Sequence, residues 1–352
     1  VLREHGADCL QYGSTDGYMP LREMIARHST RYGIHVEADN ILPTSGSQQA
    51  LDLLGRIFIN HGDTILVESP TYLGALQSWK AYGAQFSTVP VDEDGMQTDL
   101  VAEKLRAGVK FIYVLPNFQN PTGLTLSYER RLKLIEIADQ FGVPIIEDDP
   151  YGQLRYEGEH LPAVEVLDSQ TRSQGMCYSG NVIYLSTFSK TLAPGIRLAW
   201  VIAPTEVIHK LVLAKQAADL HTSTFNQITA FEVANGGYLN EHVKLIRKVY
   251  RERRDTMLEA LEEHMPAEVS WTHPQGGLFL WATLPDHICT RDFFEAALEK
   301  NVAFVPGESF FAEGGGRNTM RLNFSNAQPE KINEGIGRLG LVIKDHLMHH
   351  KS

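Results

Sequence analysis

The sequence predicts an α/β fold in which a mostly parallel sheet, covered by helices on both faces, is followed by a smaller C-terminal α/β domain. Short apolar segments alternate with helical patterns between Ile41 and Pro204, an order typical of parallel sheets. After Pro204 helical patterns run to about His264, and strands and helices then alternate again. The length of 352 residues is enough for about two domains with a large core.

The strands of the large sheet are predicted from short apolar runs. They are Thr64–Glu68, Gln85–Val91, Phe111–Leu115, Val143–Glu147, Val182–Leu185 and Leu198–Ala203. The charged stretch Glu241–Glu263 predicts a long helix that bridges the two domains. Beyond it the pattern predicts strands near Glu268–Trp271, Leu278–Leu284, Ala303–Val305 and Arg321–Phe324, and helices around Arg291–Lys300 and Pro329–His346. We therefore expect a large domain over residues 31–235 and a small domain over residues 236–352.

Composition excludes several classes of function. Hydrophobic residues at 43% and charged residues at 21% are typical of a globular protein. A net charge of −11 and the absence of a basic run argue against binding to nucleic acid. No apolar stretch approaches the roughly 18 residues of a membrane span, so neither nucleic acid nor a membrane is expected as a partner.

Cysteines and histidines suggest no metal and no disulfide framework. Cys9, Cys177 and Cys289 are widely spaced, which fits a reducing cytoplasm. The histidines form no pattern such as H-E-x-x-H, and neither a G-x-G-x-x-G fingerprint nor a P-loop is present. Nucleotide cofactors are therefore disfavoured.

One lysine follows a buried strand and is surrounded by groups that bind phosphate. Ser189 and Lys190 follow the short apolar run Val182–Leu185, and Arg197 comes seven positions after Lys190. A lysine on such a turn delivers its amine into a cleft, where it can bind the aldehyde of pyridoxal 5′-phosphate (PLP) covalently. Taken alone, the segment fits a surface lysine equally well.

Asp148 and Tyr151 follow the predicted strand Val143–Glu147. PLP withdraws electrons only while its pyridine nitrogen stays protonated, and a buried carboxylate next to that nitrogen is the usual means. Asp148 is the candidate for this role, and Tyr151 could donate its hydroxyl to the phenolic oxygen of the cofactor. The alternative is a solvated acidic turn at a strand end.

A second loop at a strand end contains Asn120, which precedes Pro121 and follows the strand Phe111–Leu115. Loops at the carboxyl ends of parallel strands bind ligands in α/β proteins, and Asn120 can hydrogen-bond the ring oxygen opposite Tyr151. By itself the sequence Asn-Pro-Thr-Gly is also a common turn.

The phosphate of the cofactor has a candidate site in the segment Thr44–Leu51. A glycine and small hydroxyls, including Ser47, open a helical pattern there, and free N–H groups at a helix start attract a dianion. Ser189 and Arg197 would complete the site. An ordinary serine N-cap is the alternative.

Two further residues have candidate roles. Tyr72 could cover the pyridine ring, or be a half-buried structural tyrosine. Arg321 lies in a segment with strand alternation at a position that should face inward. Because an arginine matches a carboxylate with two parallel hydrogen bonds, Arg321 is the candidate for the α-carboxylate of an amino acid; a surface arginine on an edge strand is the alternative.

Taken together, these motifs resemble those of a known family. With Asn120-Pro-Thr-Gly, Asp148, Tyr151, Ser189-Lys190 and Arg197 in this order and at these distances, the chain resembles the fold type I, class I/II aminotransferases. The segments 10–13, 17–22, 46–51 and 148–152 resemble the branch of 2-aminoadipate (LysN-like) and kynurenine/aminoadipate aminotransferases, which also includes the aminotransferase-like half of MocR regulators.

The resemblance implies a seven-stranded-type sheet, PLP as cofactor, and a homodimer whose active sites lie at the subunit interface. It implies that residues 1–30 are a truncated N-terminal segment at this interface, where Tyr12 reaches the cofactor phosphate of the neighbouring subunit. The implied cofactor-binding residues are Tyr12, Ser47, Gln48, Tyr72, Asn120, Asp148, Tyr151, Ser189, Lys190 and Arg197. Lys190, Asp148 and Tyr72 would be catalytic, and Arg321 and Asn120 would bind substrate.

The expected function is a ping-pong transfer of an amino group from an L-amino acid to a 2-oxo acid, with 2-oxoglutarate as the expected acceptor. The donor could be 2-aminoadipate, an aromatic amino acid or a branched-chain amino acid. Two alternatives remain open at this point. One is the PLP-binding half of a MocR-type transcriptional regulator, and the other is a PLP-dependent lyase or decarboxylase, since the same cofactor residues serve all three.

Overall fold

The computed structural model describes residues 1–172, 178 and 180–349. Cys177 lies outside the described residues, while Cys9 and Cys289 are buried free thiols. The cytoplasmic location inferred from the cysteines stays a prediction. Among the described residues, no helix is long and apolar enough to cross a membrane.

Within this described part of the chain, the large sheet has eight strands. They are β1 (Ile41–Thr44), β2 (Thr64–Ser69), β3 (Gln85–Asp92), β4 (Gly95–Met96), β5 (Ile112–Val114), β6 (Ile145–Asp148), β7 (Val182–Thr187) and β8 (Ala199–Ile202), in the spatial order β1-β8-β7-β6-β5-β2-β3-β4. The five strands from β7 to β3 in this order are parallel, and β8 is antiparallel to both of its neighbours. The predicted α/β class is confirmed. The eighth strand is β4, a two-residue hairpin partner of β3.

Helices cover both faces of this sheet. They are α1 (Leu2–Cys9), α2 (Met19–Thr30), α3 (Ser47–Phe58), α4 (Leu73–Lys80), α5 (Val101–Leu105), α6 (Tyr128–Phe141), α7 (Val164–Arg172), α8 (Thr205–Ala218), α9 (Thr224–Asn235) and α10 (Tyr238–His264). Alternate residues of β5 point to opposite faces: Tyr113 packs in one core with Leu54 and Trp79, and Ile112 packs in another with Leu134. Burial on both faces explains why these strands are continuous apolar runs.

The C-terminal part forms a second, antiparallel sheet. Its strands are β9 (Ser270–Trp271), β10 (Phe279–Thr283), β11 (Val305–Pro306) and β12 (Thr319–Asn323), in the order β11-β12-β10-β9. Helices α11 (Phe294–Glu299) and α12 (Pro329–His349) complete it. The predicted smaller α/β unit is thereby confirmed, while its exact boundaries stay a prediction.

The long helix α10 contacts the cores of both sheets. Near its start Leu239 and Val243 pack in the core that contains Trp200 of β8. Near its end Met257 and Leu261 pack in the core of the small sheet. One continuous helix therefore joins the two units, as the charged stretch predicted.

Candidate active site

A cavity of about 520 Å³ lies where the carboxyl ends of β6 and β7 meet the small sheet. Ten of the eleven predicted site residues line it: Ser47, Gln48, Tyr72, Asn120, Asp148, Tyr151, Ser189, Lys190, Arg197 and Arg321. Their positions in the chain span more than 270 residues, from the start of α3 to β12. The fold therefore brings the separate sequence motifs into a single site.

Asp148 is the last residue of β6 and is buried. Its Oδ2 accepts a hydrogen bond from the hydroxyl of Tyr113 at 2.8 Å, whereas its Oδ1 is buried without a partner. Burial raises the pKa of Asp148 to about 7, an effect that the Tyr113 hydrogen bond opposes and the charge of Asp149 increases. A buried carboxylate with one free oxygen is suited to pair with a protonated ring nitrogen.

Tyr151 and Asn120 lie together on the loops that follow β6 and β5. Both are buried. Burial raises the pKa of the Tyr151 hydroxyl, and a hydrogen bond with Asn120 opposes this shift. A phenol and an amide next to each other can both donate to a single ring oxygen.

Arg321 reaches the cavity from β12 of the small sheet. Its Nη1 donates to Oδ1 of Asn120 at 2.7 Å, and its guanidinium lies 4.2 Å from the centre of the Phe279 ring. Its Nε is buried and has no hydrogen-bond partner. The guanidinium is therefore held in place while retaining donors that can bind a carboxylate.

The start of α3 provides an anion site at the other side of the cavity. The Oγ of Ser47, the first residue of this helix, is buried without a partner, and the first N–H groups of a helix have no partner within the helix. Gly46 precedes it with φ 86°, and a Cβ at this position would overlap the guanidinium of Arg197. Only glycine suits this turn, because it tolerates the left-handed φ and leaves room for the arginine.

Gln48 lines the same part of the cavity, but its side chain is already engaged. Its amide donates to the Gly74 carbonyl and to the Ser78 hydroxyl, each at 2.9 Å. These bonds tie α3 to α4, so the backbone N–H of Gln48 is the group that could bind an anion.

Lys190 is half-buried on the turn after β7. Burial lowers the pKa of its amine, and the positive charges of Arg197 and Arg321 lower it further. The turn is held by Ser189, whose N–H donates to Oγ1 of Thr187 at 3.1 Å. A lysine in such surroundings is more readily neutral, and so more nucleophilic, than a surface lysine.

Tyr72 lies at the N-cap of α4, and its ring lies against Gly74. Burial raises the pKa of its hydroxyl, and the charge of Asp148 adds to this effect. Tyr12 is the one predicted residue outside the cavity. Its side chain is 79% exposed, and its ring contacts the edge of His221, so a role for it requires a second subunit and stays a prediction.

Tyr113 and Phe279 are site residues that the sequence did not indicate. Tyr113 lies in the middle of β5, within the apolar run Phe111–Leu115 that predicts only a strand, and its hydroxyl donates to Asp148. Phe279 packs edge-on against Tyr151 at 5.9 Å and lies under Arg321. The strand alternation of β5 could have suggested Tyr113, because a tyrosine buried in a strand needs a hydrogen-bond partner.

The residues of this cavity fit PLP. Among the described residues, three of the buried side-chain atoms without a hydrogen-bond partner belong to its lining: Ser47 Oγ, Asp148 Oδ1 and Arg321 Nε. These atoms could bind a phosphate, a protonated ring nitrogen and a substrate carboxylate, and Lys190 could supply the amine for the aldehyde.

Comparison with known proteins agrees with this chemistry. Residues 3–339 match the family model "Aminotransferase class I and II". An aromatic-amino-acid aminotransferase of Thermococcus litoralis is 49% identical over 99% of this chain and 83% of its own length.

Two solved structures have the same fold. The kynurenine aminotransferase of Pyrococcus horikoshii, solved with pyridoxamine phosphate, has a TM-score of 0.92 and 46% identity, and the alignment covers 98% of this chain and 85% of that one. The α-aminoadipate aminotransferase LysN of Thermus thermophilus, complexed with phosphopyridoxyl-L-leucine, has a TM-score of 0.92 and 42% identity. That alignment covers 99% of this chain and 87% of LysN. The chain therefore belongs to the class I and II aminotransferases and is a PLP-dependent aminotransferase.

Proposed function

We propose that the protein transfers the amino group of an L-amino acid, of the 2-aminoadipate, aromatic or branched-chain type, to 2-oxoglutarate by a ping-pong mechanism. The observation that carries the proposal is the single cavity in which Lys190, the free oxygen of Asp148 and the free donor of Arg321 meet. The choice of donors is supported by relatives whose names or ligands include aromatic amino acids, kynurenine, α-aminoadipate and leucine.

Residues from five parts of the chain would hold the cofactor. Its phosphate would be bound by Ser47, the backbone of Gln48, Ser189 and Arg197. Asp148 would keep the proton on the pyridine nitrogen, Asn120 and Tyr151 would donate to the phenolic oxygen, and Tyr72 would cover the ring. When bound, PLP supplies an electron sink for the charge that develops at the substrate Cα.

Lys190 has two tasks. Its amine would hold the aldehyde of the cofactor in the resting enzyme, and as a free amine it would move a proton to and from the substrate Cα. A base must be neutral to accept a proton. Burial and the nearby charges of Arg197 and Arg321 favour the neutral amine because they lower its pKa.

Arg321 binds the α-carboxylate that every amino-acid substrate carries. Its contact with Asn120 fixes the guanidinium before substrate arrives. Since Asn120 also contacts Tyr151, the carboxylate site and the ring site are joined through one side chain. The substrate Cα is thereby oriented relative to Lys190.

We also propose that the enzyme is a homodimer in which Tyr12 binds the cofactor phosphate of the neighbouring subunit. The exposure of Tyr12, together with the exposed apolar side chain of its near neighbour Leu10, supports this arrangement. An exposed apolar surface of this kind is often covered by a partner.

The proposed reaction predicts activity with a panel of amino donors. With 2-oxoglutarate as acceptor, we expect aromatic donors, 2-aminoadipate and leucine to produce glutamate. Lys190→Ala should lose turnover and the borohydride-reducible link to PLP, because the amine that forms it is gone. Oxo-acid formation without consumption of 2-oxoglutarate, or a reducible link in the variant, would contradict the proposal.

Asp148→Asn is expected to fold and to bind PLP but to lose on the order of 10²-fold or more in kcat. A neutral amide cannot hold a proton on the ring nitrogen as a carboxylate does. Measurement of kcat at saturating PLP separates this effect from weaker cofactor binding. Turnover near the wild-type value would show that Asp148 does not have this role.

Arg321→Lys is expected to lower kcat/KM by a factor that corresponds to about 2–5 kcal/mol of lost transition-state stabilisation. This range is typical of truncating a desolvated charge pair. Because the α-carboxylate is common to all donors, the loss should be similar across the panel. Arg317→Lys is the matched control, since Arg317 is 69% exposed. A loss confined to acidic donors would instead assign Arg321 to a distal carboxylate.

The shared site can be tested by mixing two defective variants. Lys190→Ala subunits and Tyr12→Phe subunits should form mixed dimers with one intact site, which combines Lys190 of one subunit with Tyr12 of the other. We expect tighter PLP retention and higher activity in the mixture than in Tyr12→Phe alone. An active monomer in sedimentation, or no gain on subunit exchange, would refute the proposal.

A further inference from the structure

Lys215 of α8 is a fully buried lysine that none of the proposed chemistry uses. Its side chain is 0% exposed. The Nζ donates to Oδ1 and Oδ2 of Asp219, at 2.8 and 2.9 Å, and to Oε1 of Gln49 at 2.7 Å. All three hydrogens of the ammonium therefore have acceptors within reach.

The same network holds Ser45, the first residue of the phosphate turn, and Gln49, which follows it; we define the phosphate turn as residues 45–47. The Oε1 of Gln49 accepts the N–H of Ser45 at 2.8 Å, and its Nε2 donates to Asp219 Oδ2 at 2.6 Å. The hydroxyl of Ser45 donates to the same carboxylate oxygen at 3.2 Å. The hydrogen bonds form a closed cycle between the end of α8 and the start of α3.

Gly46, at the centre of the phosphate turn, is held by Thr44: its N–H donates to the Thr44 carbonyl at 2.8 Å, and its carbonyl accepts the Thr44 hydroxyl at 3.2 Å. The network of Lys215 adds contacts to Ser45 and Gln49 on either side of this glycine. Gly46 has φ 86° and ψ 161° and supplies no side-chain cap to α3. A glycine in this conformation has few steric restraints of its own. The network clamps Ser45 and Gln49, and so sets where the Ser47 hydroxyl and the first N–H groups of α3 point.

Asp219 also connects the network to the segment that contains Tyr12. Leu220 follows it with φ 67°, and Nε2 of the next residue, His221, accepts the N–H of Gly13 at 3.3 Å. The ring of His221 packs against Tyr12 with the centroids 5.9 Å apart. The phosphate turn and the Tyr12 segment are thus attached to the same short stretch of chain.

Charge explains why a lysine is needed at this position. Burial would raise the pKa of Asp219, but the hydrogen bonds from Lys215 and Gln49 outweigh it and lower the pKa. An ionised carboxylate beside a phosphate site would repel a dianion. Lys215 neutralises it, and buried ion pairs of this kind contribute little to stability by themselves.

We propose that Lys215, acting through Asp219 and Gln49, is a positioning residue for the cofactor phosphate. It holds the phosphate turn in its binding conformation and cancels the charge of the carboxylate that supports the turn. This inference rests on the phosphate roles proposed above for Ser47 and Arg197.

The test compares PLP with pyridoxal, which lacks the phosphate. The full chain with Lys215→Met is stripped of cofactor and reloaded, and its Kd for PLP should be at least about tenfold higher than that of the wild type. This is the change in affinity expected for the loss of one hydrogen bond to a charged group. The affinity of the variant for pyridoxal should not change. Lys210→Met is the control, since Lys210 is exposed on the same helix and should behave as wild type with both compounds.

Two further variants keep the result interpretable. Gln49→Met leaves the Lys215–Asp219 pair in place and should show the same selective loss to a smaller degree, which provides the test if Lys215→Met does not fold. Arg197→Met should lose PLP affinity in any case. If Arg197→Met loses PLP affinity while Lys215→Met and Gln49→Met keep it, only the inference about Lys215 is wrong. If Arg197→Met keeps the affinity of the wild type for PLP, the phosphate site itself is refuted. An equal loss for PLP and pyridoxal in the network variants would show general destabilisation and would also overturn the inference.

Discussion

The carboxylate of Asp148 is buried with one hydrogen bond, from Tyr113, and one free oxygen. Placing an ionised group at such depth without a cation costs several kcal/mol, and the rise in the pKa of Asp148 to about 7 reflects this cost. A protonated pyridine ring beside Oδ1 would offset it. The site is therefore built so that the protein alone is electrostatically incomplete, and cofactor binding and the ionisation of Asp148 favour each other.

A second buried polar network fixes the loops on which the ring-binding residues lie. Asp149 accepts hydrogen bonds from the Asn117 amide at 3.0 Å and from the Gly152 N–H at 2.8 Å. Arg131, which is fully buried, donates to Asn117 Oδ1 and to the carbonyl of Pro116 at 2.8 and 2.9 Å. These contacts join the loop that carries Asn120 to the loop that carries Tyr151. The relative position of the two loops is thus set by groups that do not line the cavity.

The sequence predicted the parts of the site that follow from local pattern. Asp148 and Asn120 each end or follow an apolar run, and parallel strands bring such positions to the same edge of a sheet. Tyr113 and Lys215 were missed for the opposite reason: a tyrosine within a strand resembles core, and a lysine within a helix resembles a solvated face. The contacts of Tyr113 with Asp148 and of Lys215 with Gln49 depend on which strand and which helix are neighbours. That information lies in the tertiary packing and not in the periodicity of one segment.

Arg321 is a residue of the small sheet that lines the cavity. Its register on β12 opposite Trp281 of β10 directs it toward the large sheet, where it meets Asn120. One guanidinium nitrogen is used in this contact, and the Phe279 ring supports the flat face of the group at 4.2 Å. The buried Nε remains free to donate. Since its orientation is fixed by contacts that do not involve substrate, a carboxylate can bind without first ordering the side chain, and less of the binding free energy is lost to conformational entropy.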